Sequence, residues 1–297
     1  MKRGKGETKS LWRRLNSLKN FPYFLIAPTV IIFVVFMVYP IVYSLILSFQ
    51  EFKHGTYSFV GLKNYIVLFK DPIFYKALMN TFFYLIVQVP IMIGLALIIA
   101  VFVEEKHVKG KAFWRTSIFL PSITALVAYA LVFKVLFNGD YGLINYVISA
   151  LGGDKVQWFY SKWPARFSII ISITWRWTGY NMIILLAGLQ AIPESVYESA
   201  AIDGAGFWKK LTYITVPMVK PILLFTTITS TIGTLQLFDE PYVLTQGGPD
   251  YATITIGQYL YNNGFVYMNF GYASAIGYVM VFIIGILSVL QFKIKDN

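Results

Sequence analysis

Residues 77–103, ALMNTFFYLIVQVPIMIGLALIIAVFV, form 27 consecutive positions without a charged side chain. A helix that crosses a lipid bilayer needs about 20 predominantly apolar residues, because about 30 Å of hydrocarbon is covered at about 1.5 Å per residue. The run is long enough for one complete crossing. It therefore predicts a membrane-spanning helix.

Five further runs along the chain have a similar character. The uncharged run at 251–292 is too long for one span, and 253–269 is rich in Tyr, Asn and Gly, so we assign that part to the outer surface. The first run, 20–50, follows a basic segment, but this run is too long for a signal peptide and no small-residue cleavage pattern follows it. The six predicted spans are 20–50, 77–103, 116–133, 167–193, 221–238 and 270–292.

Composition supports a membrane protein. Hydrophobic residues make up 57% of the 297 residues, charged residues make up 13%, and the mean hydropathy is +0.62. A soluble domain carries about 25% charged residues. The net charge of +11 is better explained by anionic lipid headgroups than by nucleic acid. The chain has no cysteine, which excludes disulfides, thiolate catalysis and Cys-ligated metals.

Lys and Arg in the loops predict the orientation of the spans. With the N-terminus in the cytoplasm, the inner segments carry 16 of these residues and the outer loops carry 8. An excess of Lys and Arg marks the cytoplasmic side. We therefore expect an all-α integral membrane protein with both termini in the cytoplasm, divided into a basic segment at 1–19 and a six-helix membrane domain at 20–297.

The sequence lacks the usual residue patterns of enzymes and of ion-driven transporters. His54 falls outside and His107 inside, so the two histidines cannot share a site, and there is no phosphate-binding loop. Arg176 is the only charged residue within the predicted spans, whereas ion-driven transporters usually use buried Asp or Glu. We expect the outer carboxylates to be solvated loop charges rather than cation ligands: Asp239, Glu240 and Asp250.

The cytoplasmic segment between the fourth and fifth spans is unusual. Residues 192–217 are IPESVYESAAIDGAGFWKKLTYITVP. Pro193 and the acidic residues after it are typical of a helix N-terminus, and Gly204 is typical of a helix end. The residues alone are consistent with an interfacial connector or with a docking helix for a basic partner groove.

This segment resembles the signature E-A-A-x3-G-x9-I-x-L-P of binding-protein-dependent ABC importer permeases. Ser199 replaces the first alanine and Val216 replaces the leucine. The matching residues are Glu198, Ala200, Gly204, Ile214 and Pro217. Further stretches resemble the carbohydrate-uptake branch of that family: 59–65 (FVGLKNY), 113–116 (FWRT) with 120–121 (LP), 203–205 (DGA) and 244–249 (LTQGGP). The order of these motifs along the chain is most similar to that of the larger maltose permease or the first glycerol-3-phosphate permease type.

The resemblance implies a type I ABC importer permease in a bacterial or archaeal cell (inner) membrane. Such a chain is not an enzyme and binds no cofactor, because ATP and Mg are held by two partner ATPase subunits. A second permease, expected to be a different chain, and an extracellular sugar-binding protein would complete the importer. The coupling helix, which docks on an ATPase, would lie at about 194–206 and would use Glu198, Ser199, Ala200, Asp203, Gly204 and Ala205.

The expected solute is a sugar, specifically an oligosaccharide. Aromatic faces, hydroxyls and amides usually hold neutral sugars, and such side chains occur on the fourth and fifth spans. The predicted substrate path is Trp177, Tyr180, Asn181, Thr227, Ser230 and Thr234, of which the resemblance favours Tyr180, Ser230 and Thr234. The same residues could instead join helices or belong to an interfacial aromatic belt.

The sequence leaves two assignments open. Arg176 could hold an anionic solute or serve as a structural partner. The resemblance implies that the binding protein docks at Gln246, Gly247, Gly248 and Pro249, for which a plain surface turn is the alternative. A polyol phosphate permease and a secondary transporter are the alternative functions.

Overall fold

A computed structural model of the chain describes residues 21–293, and the basic segment predicted at 1–19 lies outside the described residues. The chain is mostly helical, as the hydropathy pattern predicts. The helices are α1 (Pro22–Ser48), α2 (Lys63–Leu68), α3 (Pro72–Glu104), α4 (Lys111–Ile123), α5 (Leu126–Leu136), α6 (Leu143–Ala150), α7 (Lys162–Leu189), α8 (Glu194–Ile202), α9 (Phe207–Met218), α10 (Lys220–Leu235), α11 (Ile256–Tyr261) and α12 (Phe270–Lys293). Short π-helical segments occur at Val34–Val38 in α1, Leu211–Thr215 in α9, Pro241–Thr245 and Asn262–Val266.

Four helices, α1, α3, α7 and α12, are long and apolar enough to cross a membrane singly. The predicted third span lies on the bent pair α4 and α5, whereas the predicted fifth span, 221–238, lies on α10 and its C-terminal flank, and α10 forms a second bent pair with α9. Helices α4 and α5 are bent by 95° at Thr124, whose backbone is extended, and α9 and α10 are bent by 76° at Val219. Counting each bent pair as one span gives six spans.

A short β-hairpin departs from the all-α prediction. Strand β1 (Gln50–Lys53) pairs antiparallel with β2 (Thr56–Phe59) directly after α1. His54 and Gly55 connect the strands, and both have positive φ angles, 51° and 82°. Two such residues suit the tight turns whose twist matches that of paired strands. The four-residue strands are too short for a clear alternating pattern.

The centre of the fold is the packing of α3, α7 and α10. In the apolar stretch of α7 that is long enough to cross a membrane, 61% of the residues are buried inside the fold. In the corresponding stretch of α1, only 6% are buried. Gly179 allows α4 to lie directly on α7, because a Cβ at this position would be 1.9 Å from the Ile118 carbonyl oxygen. Such close backbone approach at a small residue is typical of helices in membranes. Helix α1 packs mainly on α12, at the periphery.

Candidate functional site

A cavity of about 320 Å³ lies among α3, α7 and α10. Its lining combines aromatic rings, amides and hydroxyls, and at one end it is closed by the chain that follows α10. The lining side chains that bear on its chemistry are Gln88, Met92, Trp177, Tyr180, Asn181, Ser230, Thr234, Asp239 and Glu240.

Five of the six side chains predicted for a substrate path line this cavity: Trp177, Tyr180, Asn181, Ser230 and Thr234. Thr227 lies outside the lining, and its hydroxyl donates a hydrogen bond to the Leu223 carbonyl oxygen at 2.7 Å. The helical spacing of the fifth span therefore brings Ser230 and Thr234 to the cavity, whereas Thr227 bonds to its own helix. The role of these residues in transport stays a prediction.

Two aromatic rings present accessible surface to the cavity. Trp177 and Tyr180 are in edge-to-face contact, with centroids 5.8 Å apart and planes at 87°. Their side chains remain 36% and 44% exposed, so the packing leaves part of each ring free. Such rings combine a large apolar surface with a polar tip. They can therefore cover the apolar face of a ring-shaped solute.

The polar part of the lining is a chain of amides and hydroxyls across three helices. The Ser230 hydroxyl lies 3.2 Å from Asn181 Oδ1 and donates to it, and the Asn181 amide donates to the Trp177 carbonyl at 2.9 Å. The Thr234 hydroxyl donates to Gln88 Oε1 at 3.4 Å. Sequence reasoning missed Gln88, although an amide in the middle of an apolar span is itself a signal. The lining can exchange hydrogen bonds with hydroxyl groups.

A buried ion pair lies beside the cavity. Arg176 Nη1 lies 3.7 Å from Glu240 Oε1, with the side chains 12% and 3% exposed. The Tyr129 hydroxyl donates to the same carboxylate oxygen, and the Arg176 guanidinium carbon lies 4.5 Å from the centroid of the Tyr129 ring. The expectation that Glu240 is a solvated loop charge is wrong, because the chain after α10 folds back and needs a buried counter-charge for Arg176. Asp250, by contrast, is exposed and pairs with Lys76 at 3.2 Å.

Arg176 also reaches the bend of the other broken span. Its Nη2 lies 3.4 Å from the carbonyl oxygen of Thr124, between α4 and α5. A bend in a membrane helix leaves carbonyls without helical partners, and the surrounding protein must satisfy them. One guanidinium on the unbroken α7 thus contacts both the Thr124 bend and the segment after α10. Of the two roles considered for Arg176, this geometry favours the structural partner.

The predicted coupling segment is a short helix with a tight C-terminal turn. Helix α8 ends at Ile202, and Gly204 has a left-handed backbone, with φ of 71°. The Ala205 amide donates to the Ala200 carbonyl at 2.9 Å and the Gly204 amide donates to the Ala201 carbonyl at 3.1 Å. This pattern is a glycine-terminated helix end. Glu198, Ser199, Asp203 and Gly204 are exposed, Ala205 is half-buried and Ala200 is buried.

Basic and polar side chains from neighbouring segments hold α8. Lys106, from the loop after α3, contacts Glu194 and lies 3.6 Å from Glu198. Tyr197 and Thr215 share a hydrogen bond of 3.0 Å between their hydroxyls, which joins α8 to α9. The Glu198 side chain nevertheless stays 63% exposed. A partner can therefore reach it without unfolding the segment.

The loop at 246–249 has a defined shape rather than a simple turn. Gln246 and Gly247 have left-handed backbones, with φ of 53° and 82°. The Thr253 hydroxyl donates to the Gly248 carbonyl at 2.8 Å, and the Thr253 amide donates to the Gly247 carbonyl at 3.2 Å. Gln246 is exposed and Gly247 is buried. The loop thus presents Gln246 on a fixed backbone.

Across residues 21–293, no group of three or more His, Cys, Asp or Glu side chains is arranged to hold a metal ion. The apolar helices, the polar cavity between them and the exposed segment at α8 together define a multi-pass membrane protein of the transporter class.

Comparison with known proteins gives the family. Residues 69–295 match the model of the binding-protein-dependent transport system inner membrane component, so the chain belongs to this family of permease subunits. The resemblance drawn from 192–217 is thereby confirmed. The family is a transport component rather than an enzyme.

Two relatives match almost from end to end. The lactose transport system permease protein LacF of Rhizobium radiobacter is 46% identical over 93% of this chain and 96% of that protein. The arabinooligosaccharides transport system permease protein AraP of Bacillus subtilis is 37% identical over 97% of this chain and 93% of that protein. Relatives at this level of identity place the chain among the sugar-transport members of the family.

The fold also matches a solved structure. A chain of a bacterial ABC transporter involved in the import of the acidic polysaccharide alginate superimposes with a TM-score of 0.84, covering 97% of this chain and 98% of that chain at 23% identity. A second structure of an alginate transporter, in complex with a periplasmic protein bound to alginate pentasaccharide, has a TM-score of 0.77, with 24% identity and 95% coverage of each chain. The predicted importer-permease fold is thereby supported.

Proposed function

We propose that this chain is the permease subunit that forms the translocation path for a neutral oligosaccharide in an ATP-driven importer. The observation that carries the proposal is the cavity among α3, α7 and α10. Trp177 and Tyr180 provide ring faces there, and Asn181, Ser230 and Thr234 provide hydrogen-bonding groups. This combination suits a solute with apolar ring faces and many hydroxyls.

A neutral solute fits the charges better than an anionic one. The charged side chains that line the cavity within residues 21–293 are the carboxylates Asp239 and Glu240. Arg176, the cation nearest to this end, is engaged by Glu240 at 3.7 Å. A phosphate or uronate group would meet carboxylates without an available counter-charge. These charges argue against the alternative of a polyol phosphate.

Energy for transport comes from partner ATPases, with ATP and Mg bound there and no cofactor bound by this chain. Helix α8 and its C-terminal end expose an acidic and polar edge to the cytoplasm, formed by Glu198, Ser199 and Asp203. Ala200, by contrast, is buried against the rest of the chain. ATPase closure would move α8, and the adjoining α9 and α10 would transmit the movement to the cavity. Two alternating states of this kind are a common basis of transport cycles.

The complete importer contains this chain, a second and different permease, two ATPases and an extracellular sugar-binding protein. The chain crosses a bacterial or archaeal cell (inner) membrane six times, with both termini in the cytoplasm. The binding protein docks at the outer loop that contains Gln246, Gly247, Gly248 and Pro249. Support comes from the family description, the bent helix pairs and the distribution of Lys and Arg.

Purification of the tagged chain from its native membranes tests the proposal. We expect a second permease and two copies of an ATPase to copurify. After reconstitution with the associated binding protein, ATP hydrolysis is expected to rise with lactose or arabino-oligosaccharides and not with glycerol phosphate. Uptake by the chain alone, driven by a proton or sodium gradient, would contradict the proposal.

A further inference from the structure

Residues 252–255 are buried, although they belong to no helix or strand. They connect the loop at 246–249 to α11. Buried backbone amides and carbonyls need hydrogen-bond partners, and outside helices and sheets those partners must come from side chains, turns or bound water. Side chains of neighbouring helices meet most of this need.

Asn80, on α3, and Arg166, near the start of α7, donate hydrogen bonds to the backbone here. The Asn80 amide group donates to the carbonyl oxygens of Tyr251 at 2.8 Å and Ile254 at 2.9 Å. Arg166 Nε donates to the Ala252 carbonyl oxygen at 2.9 Å. Three carbonyls of the anchored segment, 251–254, therefore depend on two side chains from different helices.

The two anchors, Asn80 and Arg166, also hold each other. Arg166 Nη2 donates to Asn80 Oδ1. The Arg166 guanidinium carbon lies 5.0 Å from the ring centroid of Phe83 and 5.1 Å from that of Trp163. Cation–π contacts of this kind fix the planar group further. Because Asn80 is only 2% exposed, neither anchor is free to follow a moving loop.

The anchored segment sets the shape of the neighbouring loop. The Ala252 amide donates to the Pro249 carbonyl oxygen at 2.8 Å, and the Thr253 amide donates to the Gly247 carbonyl oxygen at 3.2 Å. These bonds join the backbone that the anchors hold to the backbone of the loop. Displacement of the anchored segment would therefore change the shape of the loop.

Arginines of α7 hold the chain on both sides of this loop. On the N-terminal side, Glu240 pairs with Arg176 at 3.7 Å. Arg166 and Arg176 lie ten positions apart on one continuous helix, which corresponds to about 15 Å. A single helix of the cavity wall thus fixes the approach to the loop and its exit.

We propose that Asn80 and Arg166 are positioning residues for binding-protein docking, which hold the loop at 246–249 in the shape that the binding protein recognises. This inference rests on the proposed function, which assigns that loop to the binding protein. A loop that samples several shapes binds its partner more weakly, in proportion to the fraction of molecules in the competent shape. The anchors raise this fraction through the backbone of the loop.

Conservative variants separate this role from general support of the fold. Asn80→Asp keeps the size of the side chain and its acceptor for Arg166 but removes both donors to the anchored segment. Arg166→Lys keeps the charge but loses the planar group that reaches Asn80 and Ala252 together. Ser168→Ala is the control, because this buried hydroxyl, also on α7, donates to the Ala165 carbonyl oxygen of its own helix at 2.9 Å.

The measurement is ATP hydrolysis by the complete complex in nanodiscs, titrated with its associated binding protein loaded with lactose or an arabino-oligosaccharide. We expect the concentration of binding protein for half-maximal stimulation to rise about tenfold in Asn80→Asp and in Arg166→Lys, as the loss of one or two hydrogen bonds implies. The maximal rate is expected to stay close to that of wild type. Ser168→Ala should match wild type in both quantities.

Melting temperatures of the same complexes identify a merely structural role. An unchanged half-maximal concentration would overturn the proposal, whether the melting temperature falls or not, and so would a reduced maximal rate alone. If Asn80→Asp does not assemble, Arg166→Lys decides between these outcomes. If no binding protein stimulates the wild-type complex, the proposed function is itself contradicted, and the positioning role is contradicted with it.

Discussion

The guanidinium of Arg176 and the carboxylate of Glu240 lie 3.7 Å apart, although 63 residues separate them in the sequence. Arg176 belongs to the unbroken α7, and Glu240 belongs to the segment that folds back after α10. Both side chains are almost completely buried beside the cavity. The pair therefore joins the cavity wall to the chain that leads to the loop at 246–249.

Removing one member of this pair should be more harmful than removing both. Arg176→Met leaves a buried carboxylate without its counter-charge, which costs about 3–5 kcal/mol. Arg176→Met combined with Glu240→Gln removes both charges and keeps an acceptor for the Tyr129 hydroxyl. We expect the double variant to recover most of the lost thermal stability, measured on the purified protein in detergent. Glu240→Gln is measured alone as well, and simple addition of the effects of Arg176→Met and Glu240→Gln in the double variant would argue against a coupled pair.

Gly204 permits the turn at the end of α8. Its φ of 71° is unfavourable for residues with a Cβ, so Gly204→Ala should strain this turn by about 1–2 kcal/mol. We expect assembly with the ATPase to persist and sugar uptake to fall several-fold. Gly206→Ala is the matched control, because Gly206 has φ of −73° and no atom within 4 Å of an added Cβ. Equal uptake by the two variants would exclude a special role for this turn.

Trp177 should contribute to sugar affinity through its exposed ring. Trp177→Ala removes a ring face that stacking and burial would use, so the KM for uptake should rise about tenfold. Thr227→Val serves as the control, because its hydroxyl bonds to its own helix outside the cavity. The measurement is the concentration dependence of ATP-driven uptake of radiolabelled sugar. A shift in KM for Thr227→Val but not for Trp177→Ala would contradict this assignment of the cavity.

Asp71, at the start of α3, should make the stability of the fold sensitive to acid. Burial acts to raise the pKa of its carboxyl, but hydrogen bonds from Tyr259, Tyr272 and the Ile73 and Phe74 amides outweigh burial and hold the pKa below 3.8. The same carboxylate helps to raise the pKa of Tyr259 to about 12, in addition to the effect of burial. The folded state therefore favours the charged carboxylate.

The stabilisation from Asp71 is present above its unfolded pKa and is lost as the pH falls through the lowered folded value. At pH 7, Asp71→Asn should reduce stability by about 1–2 kcal/mol. The difference in melting temperature between wild type and variant should shrink as the pH is lowered from 5 toward about 3. Asp250→Asn is the control, because Asp250 is exposed and forms only a surface pair. A difference in melting temperature between wild type and Asp71→Asn that grows in acid would contradict the prediction.

The sequence carries most of the information about the spans, for a physical reason. Lipid excludes charge, so runs such as 77–103 mark the helices, although the structure continues α3 past Lys76 to its capping residue Asp71 and, at the other end, to Glu104. The bends at Thr124 and Val219 are less visible. A break in a membrane helix is tolerated where other side chains satisfy its backbone, and that partner can be as remote as Arg176.

The kinds of side chain that line the cavity could be predicted from the sequence, but the complete set of lining residues could not. Helical spacing brings Ser230 and Thr234 to one face, but Thr227 can satisfy its hydroxyl on its own helix and does not line the cavity. Gln88 and Glu240 could not be assigned by spacing, because each lies on an element that reaches the cavity only through tertiary packing. Glu240 in particular follows a helix end, where a solvated carboxylate is the usual expectation.

The central claim, that force from a partner ATPase enters this chain through α8, is tested most directly by one variant. In proteoliposomes that contain the complete complex, ATP hydrolysis and sugar accumulation are measured together for wild type and Glu198→Ala. We expect the variant complex to assemble and to lose sugar accumulation per ATP hydrolysed. Normal accumulation in Glu198→Ala, with normal dependence on ATP, would contradict the account.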